Sequence, residues 1–219
     1  MTLLREIQLL LERTYAPIPV NLEHCLIGED RCAALNELAG EKDLAPGGRT
    51  FLRCAGDSLY LGIFYSPRVI AALEANDPRR ALNERNISAL ITFVEEIAHG
   101  VQAALLFQEG ERAIGTEDFA RNLEAQARVD TYLVLSKLAQ ILCGGRIPRR
   151  VGRWLRRQLF DDGHRRFATA RLRARYGSAQ RCALGFIRRL RLLPLTERAA
   201  ALRHFRALNW PEKRAYVHA

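Results

Sequence analysis

The sequence predicts a mainly α-helical α+β fold, in which a small β-hairpin leads into a pair of long helices and an arginine-rich helical bundle follows. Two patterns predict the first part. Apolar and β-favouring residues alternate over 49–54 and 58–65, and apolar residues recur at the 3.6-residue helical period through most of the chain from residue 87 onward. A change of charge predicts the second part: residues 1–140 carry 14 Lys plus Arg against 20 Asp plus Glu, a net of −6, whereas residues 141–219 carry 20 against 4, a net of +16. Gly144-Gly145 interrupts the helical pattern at the same place, so the chain divides into an acidic part, 1–143, and a basic part, 144–219.

The elements follow in order. Thr2 caps a helix that runs to about Arg13 with Leu3, Ile7, Leu10 and Leu11 on one face, and Pro17 and Pro19 end it. Residues 32–38 read as a short helix and 45–48 as a turn. Between the two strand patterns, Ala55-Gly56-Asp57 offers residues suited to a tight hairpin turn. Ser66 and Pro67 are an N-cap and N1 pair for a helix to about Ala75, closed by Asn76-Asp77-Pro78. Asn86 caps a helix over 87–107 whose stripe is Ile87, Leu90, Ile91, Val94, Ala98, Val101 and Leu105. Thr116 opens another, to about Leu142. Three amphipathic helices complete the chain, over 149–160, 163–192 and 196–209, with Pro211 beyond the last.

Composition excludes several classes. Apolar residues are 48% and charged residues 26% of the 219, with 15 Gly and 8 Pro, which is globular and neither disordered, collagen-like nor a coiled-coil rod. Charges at Arg5, Glu6, Glu12 and Arg13 break the Leu-rich opening, so no secretory signal is expected there, and no uncharged run approaches the ~20 residues of a bilayer span. Five Cys with no CxxC spacing suggest neither a disulfide framework nor a zinc ribbon, so a reducing cytoplasm is the expected setting. Cys143 and Cys182 fall in apolar helical stretches and read as core thiols. Walker, GxGxxG and GxSxG loops are missing, which disfavours nucleotide hydrolysis and hydride transfer. Nothing in the sequence specifies an oligomeric state.

One segment carries a chemical pattern. In Val94-Glu95-Glu96-Ile97-Ala98-His99-Gly100, Glu95 and His99 are i and i+4 on one helix and project to the same side. Two ligands at that spacing, with the intervening Glu acting on a metal-bound water, make the HExxH motif; here Glu95 stands at the first His position. A carboxylate also ligates zinc, and it shifts preference toward harder ions such as Mn or Fe. Glu96-x-x-His99 is in addition the ExxH pair of di-iron bundles, but no other His follows a Glu by three residues, so the second half of such a site is missing.

With this motif, the hairpin ending in Leu59-Tyr-Leu-Gly-Ile-Phe-Tyr65 and the Glu-bearing helix beyond, the chain resembles the zincin-like metallopeptidases, the gluzincins in particular, over roughly residues 49–130. It is also similar to a group of uncharacterised bacterial proteins with variable residues at the first motif position. The gluzincin resemblance implies a divalent ion, Zn or else Mn or Fe, held by Glu95, His99 and Glu124, the last lying 25 residues after His99. It further implies Glu96 as general base and a peptide laid along the hairpin's edge strand. No downstream Tyr or His is identifiable as an oxyanion stabiliser.

Two other readings stand beside it. The same residues make a structural polar cluster if each carboxylate finds an ordinary partner, such as Arg128 one turn after Glu124. The basic part suggests a non-catalytic module that binds nucleic acid or a protein: Arg149, Arg150, Arg153, Arg156 and Arg157 surround Trp154, and a second arginine group, Arg165, Arg166, Arg171, Arg173 and Arg175, accompanies Phe167 and Tyr176. Such helices equally serve as solvated faces or dock onto the acidic part.

Overall fold

The computed structural model describes residues 1–39, 47–161 and 169–218. The fold is a mainly helical α+β arrangement. Helix α1 (Leu3–Thr14) is capped by the Thr2 hydroxyl, which accepts from the Arg5 amide; a 3-10 turn (Leu22–Cys25) and α2 (Glu29–Leu38) follow. Strands β1 (Gly48–Ala55) and β2 (Ser58–Tyr65) pair antiparallel from Gly48 opposite Tyr65 to Ala55 opposite Ser58. Their two-residue loop has Gly56 at φ +58° and Asp57 at negative φ, the order a type II′ hairpin turn requires. Then come α3 (Pro67–Ala75), α4 (Ile87–Gln108), α5 (Glu117–Leu142), α6 (Arg149–Phe160), α7 (Ala170–Leu192), α8 (Leu195–Ala207) and α9 (Trp210–His218).

Most boundaries fall where the sequence puts them, and four expectations need correction. Asn86 makes no side-chain cap to α4; its amide donates instead to the Asn76 and Ala81 carbonyls, and its Oδ1 accepts from the Asn83 amide, tying together the loop before the helix. The short helix starts at Glu29 rather than residue 32. Cys143 caps the C-terminus of α5 and is exposed, unlike the buried Cys182. Pro211 does not mark the end of regular structure but lies in the first turn of α9, where its missing N–H is no loss. Most of the turn expected at 45–48, and the first residues of the helix expected from 163, lie outside the described residues.

Helix α4 is the centre of the molecule. It packs against α1, α3, α5, α6 and both strands, and Val94, Ile97, Ala98 and Val101 are completely buried. By length and composition it is apolar enough to cross a membrane, yet 67% of its apolar window is buried inside the protein, as a core helix would be. Helix α5 lies between α4 and α7. Ala127, Val134 and Leu135 of α5 join a core with α1, α3, α4 and Leu155 and Leu159 of α6. Ala125 and Val129 face a second core built by α7, α8 and Trp210, where Phe186 and Phe205 stack 3.9 Å apart. Residues on both sides of Gly144-Gly145 therefore line each core.

The hairpin is fixed to α4 by specific contacts. The Tyr65 hydroxyl donates to the Phe93 carbonyl at 2.9 Å, and the far edge of β2 receives the Ile27 amide on the Ile63 carbonyl. Gly48 permits the closest approach: a Cβ there would lie 2.9 Å from Glu96 Cγ, 3.0 Å from Thr92 Cγ2 and 3.3 Å from the Phe64 carbonyl. Gly48→Ala is accordingly expected to destabilise the protein by about 1–3 kcal/mol through overpacking, read as a lowered urea midpoint at unchanged slope.

A candidate acid–histidine site between the long helices

Helices α4 and α5 run antiparallel through the site, as their paired side chains show. His99 faces Glu124, and Glu95, one turn earlier on α4, faces Arg128, one turn later on α5. The His99 ring lies between two carboxylates, with Nδ1 3.4 Å from Glu96 Oε2 and Nε2 3.6 Å from Glu124 Oε2. Arg128 Nη1 lies 2.5 Å from Glu95 Oε1 and also donates to the Leu159 carbonyl at 3.3 Å. From β1, the Thr50 hydroxyl donates to Glu96 Oε2 at 2.7 Å. From α7, the Tyr176 hydroxyl bonds Glu124. The structure thus brings Glu95, Glu96, His99 and Glu124 together, and adds Arg128, Thr50 and Tyr176.

Burial sets the electrostatics. The Glu95 carboxyl is pushed up to about 7, because desolvation outweighs the neighbouring Arg128 guanidinium. Burial by itself would lower His99, but Glu124 and Glu96 on either side outweigh it and hold the imidazolium well above the usual histidine range. Burial likewise opposes ionisation of Glu124, and His99, Arg128 and the Tyr176 hydroxyl reverse the effect. Tyr176 is pushed up, first by the Glu124 charge and then by burial. Arg49 of β1, half-buried and with its guanidinium 5.0 Å from the Phe51 ring, adds a further positive charge felt by Glu96. Arg128, Arg49 and a protonated His99 thus face Glu95, Glu96 and Glu124, so the cluster's acidic groups are offset by cations of the protein itself.

The metal that the zincin resemblance implies meets a divided fit. The 3.6 Å between His99 Nε2 and Glu124 Oε2 is near the roughly 3.4 Å between two ligands of one tetrahedral ion. Glu95 departs from the set, because its carboxylate is engaged by Arg128. Among the described residues, no three His, Cys, Asp or Glu side chains are arranged to hold an ion. As the side chains stand, the residues do not fit a three-ligand metal.

Sequence reasoning missed Arg128 as a member of the site, placing it as the helical partner of Glu124. The antiparallel ladder supplies the missing signal: residues one turn before His99 and one turn after Glu124 must meet. Tyr176 and Thr50 carry no such signal, since their approach depends on where α7 and the hairpin dock. The arginines divide as well. Arg171 and Arg175 bind Glu117 at the start of α5, at 2.9 and 2.8 Å, and hold that carboxyl down at about 2. Arg149, Arg150, Arg153 and Arg157 are exposed on α6, and Arg156 is partly buried there. Trp154 donates to Glu84 at 2.6 Å, tying α6 to the loop before α4. Arg165, Arg166 and Phe167 lie outside the described residues.

Comparison with protein-family models, curated proteins and solved structures gives no match.

Proposed function

We propose that this is a zincin-like protein of the degenerate kind, which holds an extended peptide or protein segment along β1 and does not hydrolyse it. One observation carries the reading: the Arg128 guanidinium on Glu95, at 2.5 Å and almost wholly buried, supplies next to Glu95 and Glu124 the positive charge that an ion would bring. The hairpin supports the binding half. Strand β1 is hydrogen-bonded to β2 on one edge, no other described strand pairs with it, and its Thr50 reaches into the acid–histidine cluster. An extended segment added to that edge would gain main-chain hydrogen bonds while its side chains meet the site.

A second reading is favoured by a different observation. The pairing of His99 with Glu124 supports it: were Glu95 released from Arg128, then Glu95, His99 and Glu124 would be the residues to hold a divalent ion, and Glu96 would be the general base for peptide hydrolysis. A mixture of quenched fluorescent peptides, with Zn, Mn or Fe added, separates the two. The wild type is expected to cut no faster than His99→Ala, while binding members of an immobilised extended-peptide library. Hydrolysis abolished by both His99→Ala and Glu96→Gln would establish the second reading instead.

A further inference from the structure

A deep concavity lies away from the acid–histidine site. It has a volume of about 1050 Å³ and is bounded by α1, the second half of α5, the turn before α6, α6 itself, and the junction of α7 and α8. Its floor is aliphatic: Leu11, Val134, Leu190 and Leu202 are buried there, and Leu195 stands at the edge 78% exposed. Its rim is cationic, with Lys137, Arg146, Arg149, Arg153, Arg156 and Arg191 all lining it. None of these six has a hydrogen-bonded or ion-paired side-chain partner among the described residues, and no Asp or Glu lines the groove. Arg198 is the exception in role, since it holds the α7–α8 junction by donating to the Leu193 and Arg191 carbonyls.

We infer that this groove binds a single-chain anionic amphiphile, with the acyl chain on the leucine-rich floor and a phosphate or carboxylate head among the rim arginines. Six uncompensated cations around one concavity repel each other, and a desolvated anion relieves that repulsion most where no carboxylate competes for it. Arginine suits the head group because its planar fork meets phosphate and carboxylate oxygens in pairs. The floor selects the rest of the ligand: Tyr132 is its only aromatic side chain, so it offers aliphatic packing in place of a platform for stacked bases. The volume is that of a small-molecule site. This inference is independent of the reading of the acid–histidine cluster.

The test uses the full chain and decyl phosphate below its micelle concentration, followed by calorimetry. One equivalent is expected to bind, with affinity rising up to about fourfold for each added methylene and falling as salt is raised. Decyl trimethylammonium and decanol are expected to bind at least tenfold more weakly. Arg149→Ser/Arg153→Ser and, separately, Leu195→Glu should each weaken decyl phosphate at least tenfold with unchanged circular dichroism, since all three positions are solvent-exposed. Equal binding of the cationic and anionic amphiphiles would overturn the proposal, as would indifference to these variants. So would a surface that takes only anionic vesicles or mixed-sequence RNA and no monomeric amphiphile.

Discussion

Arg128→Met is expected to lower stability by about 3–5 kcal/mol, because it leaves the Glu95 carboxylate buried without its cation. For a chain of this length that is a fall in melting temperature on the order of 10 °C. The loss should be mostly recovered in Glu95→Gln/Arg128→Met, in which both charges are gone and what is missing is the contact to the Leu159 carbonyl and the guanidinium's support of Glu124. Thermal unfolding of the two single variants and the double variant measures this directly. Additive losses in the double variant would show that Arg128 and Glu95 do not act as a pair. The same cycle with Glu124→Gln tests how far the guanidinium also serves Glu124, whose ionisation it favours.

A comparable effect is expected at a second buried network, centred on Asp130 of α5 and reaching α1, α4 and α9. Asp130 is fully buried and accepts from the Tyr15 hydroxyl at 2.5 Å, Gln102 Nε2 at 2.7 Å and Gln126 Nε2 at 3.1 Å. Lys213 of α9, 1% exposed, donates to Gln126 Oε1 at 3.1 Å. Asp130→Ala removes the acceptor of three buried donors, of which Gln126 Nε2 keeps a bond to the Tyr15 hydroxyl, and is expected to cost about 3 kcal/mol. The pH dependence has a definite sign. Burial raises Asp130 to about 6, so between roughly pH 4 and 6 the folded state holds more protons than the unfolded one, and this group's contribution to stability falls as pH rises. Burial lowers Lys213 to about 7, so between roughly pH 7 and 10 the unfolded state holds more protons, and stability rises with pH. Over pH 7.5 to 9.5 this lysine adds a contribution to stability that rises by at most about 1.4 kcal/mol per pH unit, opposed in the same window by His99, which keeps its proton in the folded state. Denaturant melts should give Lys213→Met a less positive slope of stability against pH than the wild type, and an unchanged slope in that variant would show that Lys213 does not contribute.

Much of the fold is legible in the sequence because its signals are local. Thr2, Ser66 and Thr116 cap their helices as short-range patterning requires, and Gly56 fixes the hairpin turn. Asn86 shows the limit of such signals: a good capping residue is recruited by three loop groups instead, which depends on how the chain returns from α3. Helix α9 was hidden because proline reads as a breaker unless its position within the first turn is known. The candidate site divides in the same way. The i, i+4 geometry of Glu95 and His99 is readable on one helix, and the approach of Glu124 follows from pairing that helix with the next. Which carboxylate Arg128 neutralises is decided by helix register, a tertiary property, and so is the arrival of Tyr176 from α7. The buried Asp130 and Lys213 lie 83 residues apart and share no local pattern.

The central claim is that Arg128 neutralises the acid–histidine cluster from within. Elemental analysis of the untagged protein tests it most directly, after exchange into metal-free buffer and separate readdition of Zn, Mn and Fe, beside His99→Ala and Glu124→Ala. The account predicts metal far below one equivalent in the wild type, no different from either variant. Near-stoichiometric metal that both substitutions remove would contradict it and make the hydrolase reading the one to pursue.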